Sequence, residues 1–326
     1  MENSSQPVLF KLVGYGEIGN IRYLYFSIMI VMYLIIICAN SLLIGLVVFD
    51  KTLHEPMYYM MCSLFANEVY GGTSIYPSLL VNMLSDVHEI SYFHCLLQIF
   101  CVHTYASTEF TNLAVMAFDR YVSICYPLQY VNIMSPTNAY ILIAFIWLYS
   151  FGRFSVTFSM TVRLQLCGNL IDKVCCDNYS LVKLACEDTK VNNLYGIFTL
   201  VLSIGLPVVL ILYSYGEILR ICLRSSKQSR RKALNTCTPH IVSLLNFTMG
   251  SLFETIQSRF DMRHAPSVLR VLLSLYFFMI CPLLNPLLYG VRTGKIKSAL
   301  EGLFVKTGLM PPQKPLIILP VPKSRH

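Results

Sequence analysis

The sequence predicts an all-α membrane protein: a seven-transmembrane helix bundle with a short amphipathic helix after the seventh span. Three observations carry this prediction. The 326-residue chain is 55% apolar and only 13% charged, against roughly 25% charged for an ordinary soluble domain. Its charges sit in clumps separated by long apolar runs. Those runs are continuous rather than alternating, which fits helices and not the strands of a membrane barrel. Together they exclude a disordered chain and a soluble, basic nucleic-acid binder.

The elements follow in order. Met1–Tyr23 is polar and Gly-rich and lacks the pattern of a cleaved signal peptide, so the first span serves as its own signal. Leu24–Phe49 carries no charge, Met57–Leu84 only Glu68, Leu96–Phe118 only Glu109, and Ala139–Val162 only Arg153. Leu194–Gly216 and Val271–Val291 carry none. Each can cross a hydrocarbon core of ~30 Å, which takes about 20 helical residues. Ile241–Ile256 is the weakest span, because Asn246, Thr248, Ser251 and Glu254 interrupt it. Gly294–Phe304 puts Ile296, Leu300, Leu303 and Phe304 against Lys295, Lys297 and Glu301, an amphipathic pattern for the inner membrane surface. Pro311–Pro322 is Pro-rich and aperiodic, which predicts a disordered tail. The chain thus divides into an N-terminal segment 1–23, a seven-span domain 24–292, a surface helix 293–304 and a tail 305–326.

Basic residues set the orientation. Arg220, Arg224, Lys227, Arg230, Arg231 and Lys232 crowd the loop between the fifth and sixth spans, and Arg292, Lys295, Lys297, Lys306, Lys314, Lys323 and Arg325 follow the seventh. The N-terminus is therefore expected outside. The net charge of +8 then reads as a topology signal and a lipid-facing surface rather than a nucleic-acid patch. Cys95, Cys167, Cys175, Cys176 and Cys186 fall on the expected outer, oxidising side, where five thiols allow two bridges and leave one over. Cys95 can pair with either Cys175 or Cys176 as far as the sequence goes. Two outer sequons, at Asn3 and Asn178, are candidate glycosylation sites, whereas the one at Asn246 lies within a span.

Local signatures narrow the class. The third span ends Met116-Ala-Phe-Asp119-Arg120-Tyr121-Val-Ser-Ile-Cys125-Tyr-Pro127, and the seventh ends Pro282-Leu-Leu-Asn285-Pro286-Leu-Leu-Tyr289. Between them stand Ser214-Tyr215-Gly-Glu-Ile218 and Lys232-Ala-Leu-Asn-Thr236-Cys237-Thr-Pro-His240, and ahead of them Pro56-Met57-Tyr58. In this order, from Asn40 to about Phe304, the set resembles the rhodopsin-like G-protein-coupled receptors and, more narrowly, the odorant receptors. Phe118, Asn235, Pro239 and Glu68 replace the Tyr, Ser, Ser and Asp usual there, which marks a divergent, fish-like member. The resemblance implies an odorant receptor at the plasma membrane of olfactory cilia. Its partners would be a small odorant and a stimulatory olfactory heterotrimeric G protein that raises cAMP. A rhodopsin-like receptor for a non-odorant metabolite outside the nose is the alternative.

The residues have physical readings beside the family ones. Arg120 is a permanent cation that Asp119 can hold at the inner end of the third helix; the pair is either an interfacial anchor or a lock that opens a crevice for a G-protein helix. Pro286 removes a backbone donor, Asn285 can satisfy the freed groups, and Tyr289 can swing inward to Tyr215. Tyr121, Lys232 and His240 complete the expected coupling set. Glu68 and Glu109 are intramembrane acids, expensive and therefore candidates for function. The resemblance implies that Asn40 and Asn285 lie nearby, and with them the pair suits either a sodium ion or a shared proton. By resemblance, Cys95 pairs with Cys176 and Cys167 with Cys186.

The expected ligand pocket lies between the outer halves of helices 3, 5, 6 and 7. Its candidates are Val102, His103, Ala106 and Ser107, then Thr199, Leu202 and Ser203, then Ser251, Thr255 and Arg259, with Tyr276 or Phe277 closing it. Arg259 followed by Phe260 resembles the carboxylate-holding Arg of some aquatic-type members, and His103 can oppose it; a small acid suits that pair. Against this, His103 can serve packing alone and Arg259 can pair with Asp261. No cofactor is expected beyond the sodium ion. The scattered His54, His88, His94, His103, His240, His264 and His326 offer no catalytic or metal motif, so an enzyme is not expected, and no internal repeat suggests a transporter.

Overall fold

A computed structural model describes residues 9–16, 19–259 and 267–308. Asn3, Phe260, Asp261 and the Pro-rich tail from residue 309 lie outside the described residues, as does the side chain of Lys232.

The chain forms the expected helix bundle. α1 (Arg22–Phe49), α2 (Pro56–Leu84) and α3 (Tyr92–Cys125) are the first three spans. After a short turn, α4 (Tyr130–Ile133), the fourth span is α5 (Pro136–Val162). A five-residue helix, α6 (Asn178–Val182), precedes the fifth span, which combines α7 (Lys190–Leu200) and α8 (Leu206–Leu223). α9 (Lys227–Arg259) and α10 (Ser267–Arg292) are the sixth and seventh spans, and α11 (Gly294–Lys306) follows them.

By length and apolarity alone, three described helical stretches are long and apolar enough to cross a membrane: Gly19–Phe49, Pro136–Val162 and Lys190–Leu223. α2 and α3 carry more polar residues, and these turn inward. Asn67, Glu68, Thr108, Glu109, Asn112 and Asp119 are all fully buried, which is how a membrane helix tolerates them. Close approach at α2 and α3 depends on Gly71, where a Cβ would fall 2.4 Å from the Tyr105 ring.

Helix boundaries follow local chemistry. Pro56 and Pro136 sit in the first turns of α2 and α5, where a missing N–H costs nothing. Ser91 and Ser135 cap α3 and α5 by accepting from His94 N and Asn138 N. Within the fifth span Pro207 lacks the N–H of a regular ladder, and the helix widens into a π-type turn over Val201–Gly205.

A small sheet, not foreseen from the residue pattern, lies at the end of the bundle that carries the disulfides. β1 (Leu9–Leu12) lies between β2 (Glu89–Ser91), antiparallel to it, and β3 (Leu170–Ile171), parallel to it. Phe10, Leu12 and Tyr15 are fully buried there, and Tyr15 stacks on His88. The N-terminal segment, read from sequence only as polar and Gly-rich, hides this three-residue apolar face. Disulfides join Cys95 to Cys176 and Cys167 to Cys186, leaving Cys175 as a buried thiol.

Candidate functional site

At the disulfide-bearing end, α3, α5, α7 and α9 enclose a cavity of about 180 Å³. Val102, His103, Ala106 and Ser107 line it from α3, Thr199 and Ser203 from the fifth span, and Ser251, Thr255 and Arg259 from α9. Phe277 lines it from α10. Leu202 and Tyr276 do not. The Leu202 carbonyl accepts from Tyr149 on α5, and Tyr276 turns outward to donate to Asn246 Oδ1 at 2.7 Å.

Sequence reasoning missed two contributors. One is α5, which adds Arg153, Phe154 and Thr157. His103 stacks on Phe154 with ring centroids 4.6 Å apart, and Arg153 Nη1 donates to the Thr199 carbonyl at 3.1 Å. The lone charge in an otherwise apolar span was the available signal for Arg153.

The other is the loop between α5 and α7, which roofs the cavity. Lys173 is 4% exposed, and its ammonium lies 3.0 Å from Glu254 Oε2 and 3.5 Å from Asp177 Oδ2. It also donates to Ser258 Oγ at 2.7 Å. Burial works against the Lys173 charge, but Asp177 and Glu254 hold its titration above the ordinary lysine range. Burial likewise opposes the Asp177 charge, and Lys173 with Ser180 outweighs it, so this carboxyl titrates below its ordinary value. Glu254, without a role in the sequence, thus ties α9 to the roof. Arg259 lies over the Tyr179 ring, 4.1 Å from its centroid. Asn178 accepts from Thr161 Oγ1 at 2.8 Å and also lines the cavity.

Below this cavity, midway along the bundle, sits a buried polar cluster. Asn285 Nδ2 donates to both Glu68 and Glu109. Tyr105 donates to Glu68 at 2.9 Å, Asn67 to Glu109 at 2.8 Å, and Ser243 to Asn285 Oδ1 at 2.5 Å. Asn40 stands one step away and donates to the Pro282 carbonyl at 3.1 Å. Two carboxylates sharing one amide repel each other unless a proton or cation joins them. Asn40 Oδ1 and Asn67 Oδ1 are buried without partners among the described residues, so the oxygen-rich donor set fits a small hard cation.

At the opposite end, Arg120 pairs with Asp119, which also accepts from Tyr130 at 2.8 Å. Tyr289 is fully buried and lies 3.1 Å from His240 Nδ1. Tyr215 does not reach it, and its buried hydroxyl has no partner among the described residues. Tyr121 and Tyr215 pack on a small cluster of Ile218, Cys222 and Cys237. Arg120, His240 and Tyr289 line a second cavity of about 430 Å³. Lys295 at the start of α11 bonds Glu55 before α2.

Residues 29–307 match the family model described as "Olfactory receptor". The human olfactory receptor 2C3 is 34% identical over 301 residues, covering 92% of this chain and 93% of that protein. The human olfactory receptor 2G6 is 34% identical over 307 residues, 93% of this chain and 96% of its own. The mouse olfactory receptor 4B13 is also 34% identical, over 306 residues, 92% of this chain and 97% of that one.

Proposed function

The chain belongs to the olfactory receptor family of G-protein-coupled receptors, and from that premise we propose that it binds its odorant in the cavity roofed by Lys173. As a family member it is a multi-pass plasma-membrane signalling receptor and not an enzyme. The observation that carries the binding proposal is the cavity itself: apolar walls with a few polar groups, between helices, beneath a disulfide-fixed roof. A volume of about 180 Å³ is below the ~300–1,000 Å³ of drug-sized sites, which suits a small volatile molecule. The basic loops favour the N-terminus outside and the Arg120 end facing the cytoplasm.

Ligand binding is transmitted because the cavity and the coupling end share α3, α9 and α10. Occupancy that shifts α9 loosens the Lys173–Glu254 tie and the packing of Phe247 and Phe277. Movement of α10 separates Tyr289 from His240 and lets it approach the unsatisfied Tyr215 hydroxyl. The second cavity then opens around Arg120 to admit a helix of the G protein. We assign a stimulatory olfactory G protein and cAMP as the output. Glu68, Glu109, Asn285 and Asn40 would hold a sodium ion, which would neutralise the acid pair in the resting bundle; a shared proton does the same.

The test is expression in cells with a cAMP readout and verified surface display, against acids, amino acids and neutral odorants. A dose-dependent cAMP rise to at least one odorant is expected. Silence to odorants with a response to a non-odorant metabolite favours the alternative reading.

A further inference from the structure

Among the described residues, the charges around the odorant cavity do not balance, and the imbalance names a ligand class. The two described carboxylates that line it, Asp177 and Glu254, are both within 4 Å of the Lys173 ammonium. Arg259, on the exposed end of α9, has its guanidinium face covered by Tyr179. Arg153 is the remaining lining cation, and among the described residues no carboxylate lies within salt-bridge distance of it. Its single bond runs from Nη1 to the Thr199 carbonyl, and its buried Nε has no partner.

An arginine in a membrane-spanning cavity without a counter-ion is costly. The Nε–Nη2 side of a guanidinium is an edge that receives a carboxylate through two parallel bonds. On Arg153 that edge makes no hydrogen bond among the described residues. The Thr199 carbonyl that accepts from Nη1 stands just ahead of the wide turn at Val201–Gly205 and also accepts from Ser203 Oγ within it. His103 and Thr157 line the same cavity, and the space suits a short chain. Resting on the assignment of this cavity as the odorant site, we propose that the receptor recognises a small carboxylic acid as its anion, with Arg153 of α5 as the specificity-determining cation.

This moves acid recognition from the Arg259 expected by resemblance to a residue on a different helix. Arg259 and Tyr179 instead stand at the rim.

The test measures cAMP dose–response curves for a short-chain acid series and the matching methyl esters, alcohols and amines, at equal surface display. Arg153→Gln keeps a donor for Thr199 and removes the charge; Arg153→Lys keeps the charge and removes the paired edge. The expected result is that acids act on the wild type and that Arg153→Gln weakens them by about 10- to 100-fold, as for a lost charge-assisted bond. Arg153→Lys should fall in between, and Arg259→Gln should shift the acids less than Arg153→Gln. Unchanged acid responses in displayed Arg153→Gln overturn the proposal. So does an equal loss for acids and neutral compounds, which marks Arg153 as a brace for Thr199 alone. A wild type that answers neutral odorants and ignores acids overturns the acid assignment and leaves the receptor reading standing, whereas silence to every compound overturns both. If Arg153→Gln fails to reach the surface, thermal stabilisation of the purified receptor by acid decides, compared between wild type and Arg153→Lys; equal stabilisation overturns the proposal.

Discussion

Lys173 Nζ, in the loop after β3, lies 3.0 Å from the carboxylate of Glu254 near the end of α9. It joins the roof of the cavity to a helix that reaches the coupling end. Glu254→Gln removes half of this pair while leaving Asp177 in place. It should lower the stability of the purified receptor by about 2 kcal/mol, the scale of a hydrogen bond to a charged group. Basal cAMP should rise, because α9 is released. Thermal unfolding and basal signalling at matched surface display check both effects.

The pH dependence of this tie has a defined sign. Asp177 titrates below its ordinary value, so its contribution is full above about pH 4 and disappears as pH falls through the lower folded value. Lys173 titrates above its ordinary value, so its contribution is full below about pH 10 and disappears only as pH rises through the higher folded value. The stability difference between wild type and Asp177→Asn should therefore stay flat from about pH 5 to 9 and shrink below about pH 4. Unfolding midpoints of the two proteins across that range measure it.

What the sequence disclosed and what it hid divide by distance along the chain. Charge-free runs such as Leu24–Phe49 mark spans because each reports on itself. The proposed coupling residues Asp119, Arg120, Asn285 and Pro286 stood in contiguous motifs. Arg153 and Glu254 were visible as isolated charges, but their partners Thr199 and Lys173 lie 46 and 81 residues away. Only folding brings them together. The β1–β2–β3 sheet was hidden for the same reason, since each strand has four residues or fewer and pairs only with distant chain. The expected Tyr215–Tyr289 partnership is not made in this structure, where Tyr289 is held by His240.

That arrangement makes a kinetic prediction. Tyr215→Phe removes a hydroxyl that has no partner here, so surface display and stability should change little. Agonist efficacy should fall severalfold, because the phenol is needed only after Tyr289 moves. His240→Ala should instead raise basal activity. Dose–response maxima at matched display test the pair, and equal effects on stability from both variants would count against it.

The acid pair gives an ionic prediction. If sodium joins Glu68 and Glu109, raising sodium should lower basal signalling in wild type, and Glu109→Gln should abolish that dependence. A flat sodium titration in both proteins assigns the shared charge to a proton.

Gly71 supplies a packing control. Gly71→Ala drives a methyl group into Tyr105, which donates to Glu68. The cost should be about 1–3 kcal/mol of overpacking, visible as lower surface display and a lower unfolding temperature.

The central claim is that the cavity under Lys173 is where the odorant acts. Ala106, which lines it from α3, can be replaced by Trp to fill the space without touching the Asp119–Arg120 pair. The decisive measurement is the cAMP dose–response of Ala106→Trp to an agonist of the wild type, at equal display. The account predicts loss of the agonist response with basal coupling retained; an unchanged response would contradict it.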